Sequence, residues 1–545
     1  MLSVLLWTPL VAGLVALAVP RAASRWVAVL GSLVALGLAI GLVADFDPDA
    51  AGLQHVVDHS WIPGLGVRYF LGVDGISVFL VLLTAVLWFA VTLWSALRNE
   101  PGDGRSRLYY FLVGLAGTAA LGAFTAQDLL LFVLFFDLML IPFFFLIGTF
   151  GGENRIAATT KMIVFTLVGS LLMLVGAIAT AILASDSVGE LSFSIPVLQQ
   201  HLLSTGSQEW IFCFFAAAFL VKMPAFPIHG WMPDAYKAAP LPILILLSAV
   251  LSKVGAYGFL RVALPLFPAA TSHFQELVML IALASILYGS VMAFTQTNVR
   301  LIAGYSSVAQ LGFITLGIFS LRADGADGAV LQMVNHGLVV AGVFMVIAIL
   351  YDRTRTEDVT KMGGQAMRAP VLAALFLVIA MANLAIPGSS NFIGEFYILN
   401  GVFQSKIAFA FVAAIGIALA AFYSLRMYQR TMHNRLPEGA ESREIGARDG
   451  LILAPLVAVI VALAFWPGLI LERGQNSVTA AVEAATAPAA PETAGVDRHG
   501  WTGYAPVANH DRISELSAFQ CTRLAKAVER WNSASLADDY QGGCE

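Results

Sequence analysis

Charge is scarce in this sequence. Of its 545 residues, 30 are Lys or Arg and 35 are Asp or Glu, so only 12% are charged, about half the share of an ordinary soluble domain. Hydrophobic residues reach 59% and the mean hydropathy is +0.81. Those values exclude a soluble globular enzyme, a disordered chain and a fibrous protein. A net charge of −5 is too small to imply nucleic acid or another charged partner. Cysteine is scarce too. Cys213, Cys521 and Cys544 contain no CxxC pair, which leaves no framework for zinc or an iron–sulfur cluster. Neither a GxxxxGKS/T loop nor a GxGxxG fingerprint is present, so nucleotide and electron chemistry are not expected here. The first apolar run, from Met1 to Val19, lacks a basic leader and a small-residue cleavage site, and reads as a retained helix.

What the chain does have is long apolar runs. A bilayer span needs roughly 20 mostly apolar residues. Polar breaks divide the chain into about fourteen such runs, near 2–19, 27–44, 74–97, 108–126, 129–149, 160–183, 210–237, 240–262, 276–295, 301–320, 328–350, 370–402, 407–430 and 450–470. The runs are continuous rather than alternating, which argues against a transmembrane barrel. The expected fold is all-α and polytopic. The seventh and twelfth runs are too long for one straight span and contain prolines, so each reads as a broken helix. Interrupted helices in matching places of two halves point to inverted repeats, with sites at their interface. The repeats would be five helices each, helices 4–8 over 108–262 and 9–13 over 276–430, after a three-helix region at 1–107 with an outer loop at 45–72.

Basic residues gather in the loops after odd-numbered spans, such as Arg21, Arg105, Lys161, Arg355 and Arg435. The positive-inside rule puts those loops in the cytoplasm and both termini outside. Residues 474–545 then form an extracytoplasmic tail. Within it 479–494 are Ala/Pro/Thr-rich and read as a linker, and 511–535 read as a short amphipathic helix. In an oxidising space Cys521 and Cys544 either pair or stay free thiols.

Four charges fall near the middle of spans: Asp137, Lys222, Lys253 and Glu395. A charge at the bilayer centre costs at least about 2.5–3.5 kcal/mol, so each must be paired, hydrated or neutralised, and a functional site is the default reading. Ion pairs for packing are the alternative, but opposite signs on separate helices suit a relay better than a clamp. Lys222 opens the segment Lys222-Met223-Pro224-Ala225-Phe226-Pro227-Ile228-His229-Gly230, which cannot continue a regular helix. Such a break is tolerated only inside protein or along a hydrated cavity. Burial there disfavours a charged lysine and a nearby carboxylate restores it, so a partner whose distance changes makes a switch. Glu395 follows a second break at Ile386-Pro387-Gly388. Asp137 has no charged neighbour in sequence, and Lys222 is its candidate partner. Lys253, on the next helix, would link the two halves. His336 and His229 also lie at membrane depth and titrate near neutral pH; each reads as a relay or as hydrogen-bonded packing.

Six segments carry a resemblance. They are Gly72-Val73-Asp74-Gly75-Ile76-Ser77, the Asp137 segment, Lys222 through Trp231-Met232-Pro233-Asp234-Ala235, the Lys253 helix, Gln332-Met333-Val334-Asn335-His336-Gly337 and Asn391-Phe392-Ile393-Gly394-Glu395-Phe396. Together they resemble the antiporter-like membrane subunits of respiratory complex I over about residues 1–470. Glu395 resembles the M-type branch, because most relatives carry lysine there. The resemblance implies a subunit of a proton-pumping NADH:quinone oxidoreductase in a bacterial plasma membrane. It implies the neighbouring antiporter-like subunits L and N as partners and protons as the transported species. It also implies no redox centre in this chain, with flavin, iron–sulfur clusters and quinone in other subunits. By the same resemblance Asp137 pairs with Lys222, Lys222 carries the proton, Lys253 and His336 connect the half-channels, and Glu395 leads outward; His229 joins the candidates through its membrane depth alone.

Two positions depart from the family pattern. Glutamate is common where this chain has Asp137. Aspartate is shorter by one methylene, so either the helices approach more closely or water bridges the pair. Histidine is frequent where this chain has Gln310, an amide that holds a water but takes up no proton at neutral pH. The competing readings are an Mrp-type sodium/proton antiporter or membrane-bound hydrogenase subunit, and a scaffold whose buried charges only hold helices together.

Overall fold

The structure, a computed structural model, describes residues 1–50, 52–101, 104–436 and 443–486. The helices begin with α1 Leu2–Ala18, α2 Arg21–Ala44, α3 Val78–Arg98, α4 Ser106–Thr125, α5 Leu129–Leu138, α6 Leu140–Phe150 and α7 Arg155–Val188. Then come α8 Ile195–Leu198, α9 Thr205–Lys222, α10 Met232–Ala238, α11 Leu241–Leu246, α12 Ser252–Gly258, α13 Leu264–Leu266 and α14 Pro268–Thr295. The remainder are α15 Val299–Ile318, α16 Ala323–Thr354, α17 Pro370–Asn383, α18 Ser390–Ser405, α19 Ile407–Met432, α20 Ala447–Phe465 and α21 Gly468–Thr486. Among the described residues 11 helical stretches are long and apolar enough to cross a bilayer. α1 is shorter, at 17 residues, and the two interrupted spans, α9/α10 and α17/α18, are divided as their prolines predict.

Burial sorts the helices into a centre and a rim. α15, α16 and the α11–α13 stretch are buried throughout, whereas only a third of α2, α19 and α20 is. A chain facing lipid can expose apolar side chains without cost, so the rim helices carry exposed Val, Leu, Ile and Phe. The polar side chains are left to the central helices.

Five local features differ from the sequence reading. The expected outer loop contains an antiparallel hairpin, β1 Gln54–Ile62 and β2 Val67–Val73. Its β-branched residues pair across a tight turn at Pro63–Leu65, so the fold is not purely helical. Asp74 then receives the N–H groups of Ile76 and Ser77 on Oδ1 at 3.1 and 2.9 Å, which delays α3 to Val78. The fifth span is interrupted at Met139, between α5 and α6, because Pro142 cannot donate to the Leu138 carbonyl. The eighth span is wound partly as π-helix, at Leu247–Leu251 and Phe259–Ala263, a winding that hydropathy does not report. Finally, α21 runs to Thr486 through the start of the expected linker. Half of residues 479–486 are alanine, the best helix former, and the first proline after them comes only at Pro488. A Cβ on Gly75 would lie 2.0 Å from the Arg473 carbonyl of α21, so glycine lets this helix rest on the turn before α3. The rest of the expected linker, the helix at 511–535, Cys521 and Cys544 lie outside the described residues.

Candidate functional site

Lys222 is the last residue of α9 and is 1% exposed. A cation at a helix C-terminus faces the negative end of the helix dipole. The broken backbone beyond it is satisfied by side chains: the Trp231 indole donates to the Val221 carbonyl at 2.9 Å, and the Phe226 N–H donates to Ser285 Oγ at 3.0 Å. Lys222 Nζ donates to the Phe136 carbonyl at 2.9 Å and lies 4.2 Å from the centroid of the Phe136 ring. Around it the Phe219 ring meets Phe132, Phe136, Phe215 and Phe259 at 5.2–6.2 Å.

Asp137 does not close the expected ion pair with Lys222 in this arrangement. Lys222 takes the carbonyl one residue earlier, while Asp137 Oδ1 is buried without a hydrogen-bond partner. The two charges still act on each other through space, and Ser170 of α7 stands beside Asp137.

Lys253 lies on α12 and is fully buried. Its Nζ donates to the Ser248 carbonyl at 2.9 Å and approaches Ser252 Oγ at 3.4 Å. Ser248 belongs to the π-helical turn just before it. A Cβ on Gly255 would lie 2.6 Å from the Phe219 carbonyl and 3.4 Å from Met223 Cβ. Glycine therefore permits α12 and α9 to cross within a turn of both lysines. His336, on α16, is buried with neither ring nitrogen hydrogen-bonded to protein, and Lys253 is within electrostatic reach.

Glu395 sits in the second turn of α18, 2% exposed. Gln310 Nε2 donates to its Oε1 at 2.7 Å, and Gln332 Nε2 donates to Gln310 Oε1, also at 2.7 Å. Gln310 therefore occupies the centre of the site as a hydrogen-bonding link rather than a titrating one. The row continues toward Lys253. Ser248 Oγ and Ser307 Oγ are 3.3 Å apart. Ser307 and Gln310 share a face of α15, as Gln332 and His336 share one of α16. Sequence reasoning assigned no role to Gln332, Ser248 or Ser307. Neutral hydrogen-bonding residues in apolar helices carry little hydropathy signal, although an intramembrane glutamine is itself a cue.

His229 stands apart, in the first break. Its ring is 4.9 Å from Tyr288 and 6.1 Å from Tyr305. Near it, at the end of the molecule carrying the basic loops, opens a polar cavity of 910 Å³ whose lining includes Lys161, Asp234, Arg300 and Glu357. Ion pairs Lys161–Asp234 at 2.8 Å and Arg300–Glu357 at 2.6 Å cross its walls. Tyr305, whose ring is 6.1 Å from that of His229, is within electrostatic reach of Asp234 of the cavity lining.

The arrangement holds two groups of buried polar side chains, Asp137 with Lys222 and Glu395 with the amides Gln310 and Gln332, and two further buried bases, Lys253 and His336. Lysine, histidine and carboxylate side chains can each bind and release a proton; the amides and hydroxyls can only pass hydrogen bonds or hold water. No group of three or more His, Cys, Asp or Glu able to hold a metal occurs among the described residues.

Comparison with known proteins gives concordant matches. A family model for "NADH:quinone oxidoreductase/Mrp antiporter, TM" matches residues 126–420. NADH-quinone oxidoreductase subunit M of Rhodobacter capsulatus is 37% identical over 499 residues, covering 89% of this chain and 96% of that protein. A chain of respiratory complex I from Thermus thermophilus with bound NADH superposes with a TM-score of 0.81 at 30% identity, covering 89% of this chain and 100% of that one. A chain of the Mrp complex from Dietzia sp. shares the fold, with a TM-score of 0.76 at 21% identity over 89% of this chain and 99% of that one.

Proposed function

This chain belongs to the NADH:quinone oxidoreductase/Mrp antiporter family, and we propose that it is the M-type proton-translocating membrane subunit of an NADH:quinone oxidoreductase, complex I. The observation that carries this reading is the buried series of ionisable groups joining two broken helices. Relatives named subunit M, alike over nearly their whole length, support the choice of branch, as does a glutamate at 395. The chain would sit in a bacterial plasma membrane with both termini outside, between antiporter-like subunits L and N. Flavin, iron–sulfur clusters and quinone would belong to other subunits.

In this mechanism quinone reduction elsewhere in the complex shifts charge along the polar axis. Lys222 exchanges the Phe136 carbonyl for Asp137 and back. Held by Asp137 it keeps its proton; released into the aromatic surroundings it gives the proton up toward Lys253 and His336. Glu395 receives it through water held along the amide row and releases it outward, while His229 and the polar cavity resupply Lys222. One charge moved against 100 mV costs about 2.3 kcal/mol, the equivalent of roughly two units of pKa, so rearranging one ion pair suffices for a step.

The test begins with mild-detergent purification through a tag on this chain. NADH:quinone reductase activity with flavin and iron–sulfur absorbance is expected to co-purify. A clean complex without that activity moves the assignment to the antiporter or hydrogenase relatives. In the active complex Lys222→Met is expected to abolish pumping; a fully assembled variant with normal pumping per NADH removes Lys222 from the relay.

A further inference from the structure

Helices α16 and α18 lie against each other in a register that the contacts fix. Asp324 Oδ2, in the first turn of α16, accepts from Asn400 Nδ2 and Gln404 Nε2 of α18 at 2.8 and 2.9 Å. A Cβ on Gly401 would lie 2.4 Å from the Gly325 nitrogen, and one on Gly328 would lie 2.6 Å from the Ile398 nitrogen and 2.8 Å from the Gly394 carbonyl oxygen. Further in, a Cβ on Gly394 would lie 2.4 Å from Gln332 Oε1, and Asn335 Nδ2 donates to the Ser390 carbonyl at 2.8 Å. The helices are therefore antiparallel. Numbers fall along α16 as they rise along α18, going toward the end opposite the basic loops. This register sorts the unpartnered polar atoms of the two helices. Asn335, Ser390 and Asn391 lie inward of Glu395, and Gln332 Oε1 lies at its level. Asp327 alone among them lies outward, about one turn beyond Glu395, or roughly 5 Å along the axis.

Asp327 is 8% exposed. Its Oδ1 is buried with no hydrogen-bond partner, and it forms no ion pair among the described residues. Its neighbour Asp324 already ties α16 to α18, so Asp327 is not needed as a clamp. A carboxylate kept ionised at such a place without donor or cation is costly, whereas one that binds and releases a proton carries the charge only part of the time. We propose that Asp327 is the release group of the outward channel, taking the proton that leaves Glu395 and passing it to water on the outer side. The proton leaves the Glu395 O–H for a water held by the free Gln332 Oε1, and that water gives one to the Asp327 carboxylate. Asp327 then loses its proton to outside water. Only O–H bonds form and break, and both carboxyls return to their ionised state. The inference rests on the relay reading of Glu395 given above.

The test uses the whole complex in liposomes whose lumen corresponds to the outer side. Asp327→Asn keeps the shape and removes no hydrogen bond, so assembly and the thermal midpoint are expected to stay unchanged. Pumping per unit time and the NADH oxidation coupled to it are expected to slow at least about tenfold. Asp327→Glu is expected to keep most of the rate. In Asp327→Ala, which leaves room for a small acid, formate is expected to restore NADH oxidation, measured with an uncoupler present so that leakage of the acid has no effect. Normal pumping in assembled Asp327→Asn overturns the inference and leaves the Glu395 relay standing. Slow variants that neither formate nor the glutamate restores make Asp327 a packing residue and overturn it as well. Normal pumping in Glu395→Gln takes down the relay and this inference together.

Discussion

The two broken helices solve the same problem with opposite materials. Around Lys222 the surroundings are aromatic, and the lysine is held by one backbone carbonyl and one ring face. Around the second break the surroundings are amides and hydroxyls. Protein groups leave Gln332 Oε1, Asn335 Oδ1, Ser390 Oγ, both polar atoms of Asn391 and Glu395 Oε2 without partners there. The chemistry of the charge explains the difference. An ammonium only donates, and a broken helix frees carbonyls that only accept, so a cation can be housed by backbone and π faces alone. A carboxylate needs donors when ionised and an acceptor when protonated. Backbone carbonyls cannot donate, so side chains or water must. Lys222 can therefore be held by backbone and ring faces, whereas Glu395 depends on donors and an acceptor from side chains or water.

The largest expected effects break that pairing of charge with surroundings. Lys222→Arg keeps the cation and its bond to the Phe136 carbonyl, but arginine does not give up its proton. Pumping is expected to fall by roughly 100-fold or more, with assembly intact, measured as proton uptake per NADH in liposomes. If the role were a clamp, arginine would be tolerated. Glu395→Gln keeps the hydrogen-bonding shape and removes the titration, with a loss of the same order expected. Normal pumping in either variant reduces the two sites to packing devices.

An intermediate effect tests the part left to water. Asn391 is fully buried, and neither polar atom of its side chain bonds to protein. Replacing an unsatisfied amide by an apolar group of similar size costs little, because no partner is orphaned in turn. Asn391→Leu is expected to leave the thermal midpoint nearly unchanged and to slow pumping about tenfold through lost hydration near Glu395. A large fall in stability with unaltered pumping would mean that Asn391 packs rather than hydrates.

How much of this was legible beforehand follows the same division. Both proline-containing breaks and all four intramembrane charges stood out, because prolines and charges in apolar runs are loud signals. The interruption at Met139 was overlooked although Pro142 marks it. The π-helical turn before Lys253 was silent, because it depends on which carbonyl a neighbour takes, which is tertiary information. The aspartate at 137 was read as forcing either closer helices or a bridging water. In the structure the pair is open, and Lys222 has turned to the carbonyl of the preceding residue, Phe136. The amide row was half visible: Gln310 was singled out for what it cannot do, while Gln332, which donates to it, stood in a family segment without a role. The hairpin before α3 and the alanine-rich end of α21 were misread, since short strands and low-complexity helices both resemble loops in composition.

The smallest expected effect uses a third buried carboxylate as the control. Glu100 lies outside the spans, just beyond α3, where Arg98 is ion-paired to Asp352 and Asp449. It has competing carboxylates beside it where Glu395 has amides. Burial pushes its carboxyl up to about 7, against the pull of Arg98 and with Asp352 and Asp449 adding to the rise. The sign follows from linkage. Between about pH 4.5 and 7 the folded chain holds a proton here that the unfolded chain has lost, so stability falls as pH rises through that window. Glu100→Gln removes the penalty. At pH 8 it is expected to stabilise the subunit by about 1–3 kcal/mol, read as a higher thermal midpoint, with little gain at pH 5. An equal gain at both pH values would show that the charge is not what burial penalises. The unequal gain would show what a buried carboxylate costs without donors, and hence why the second break needs its amides.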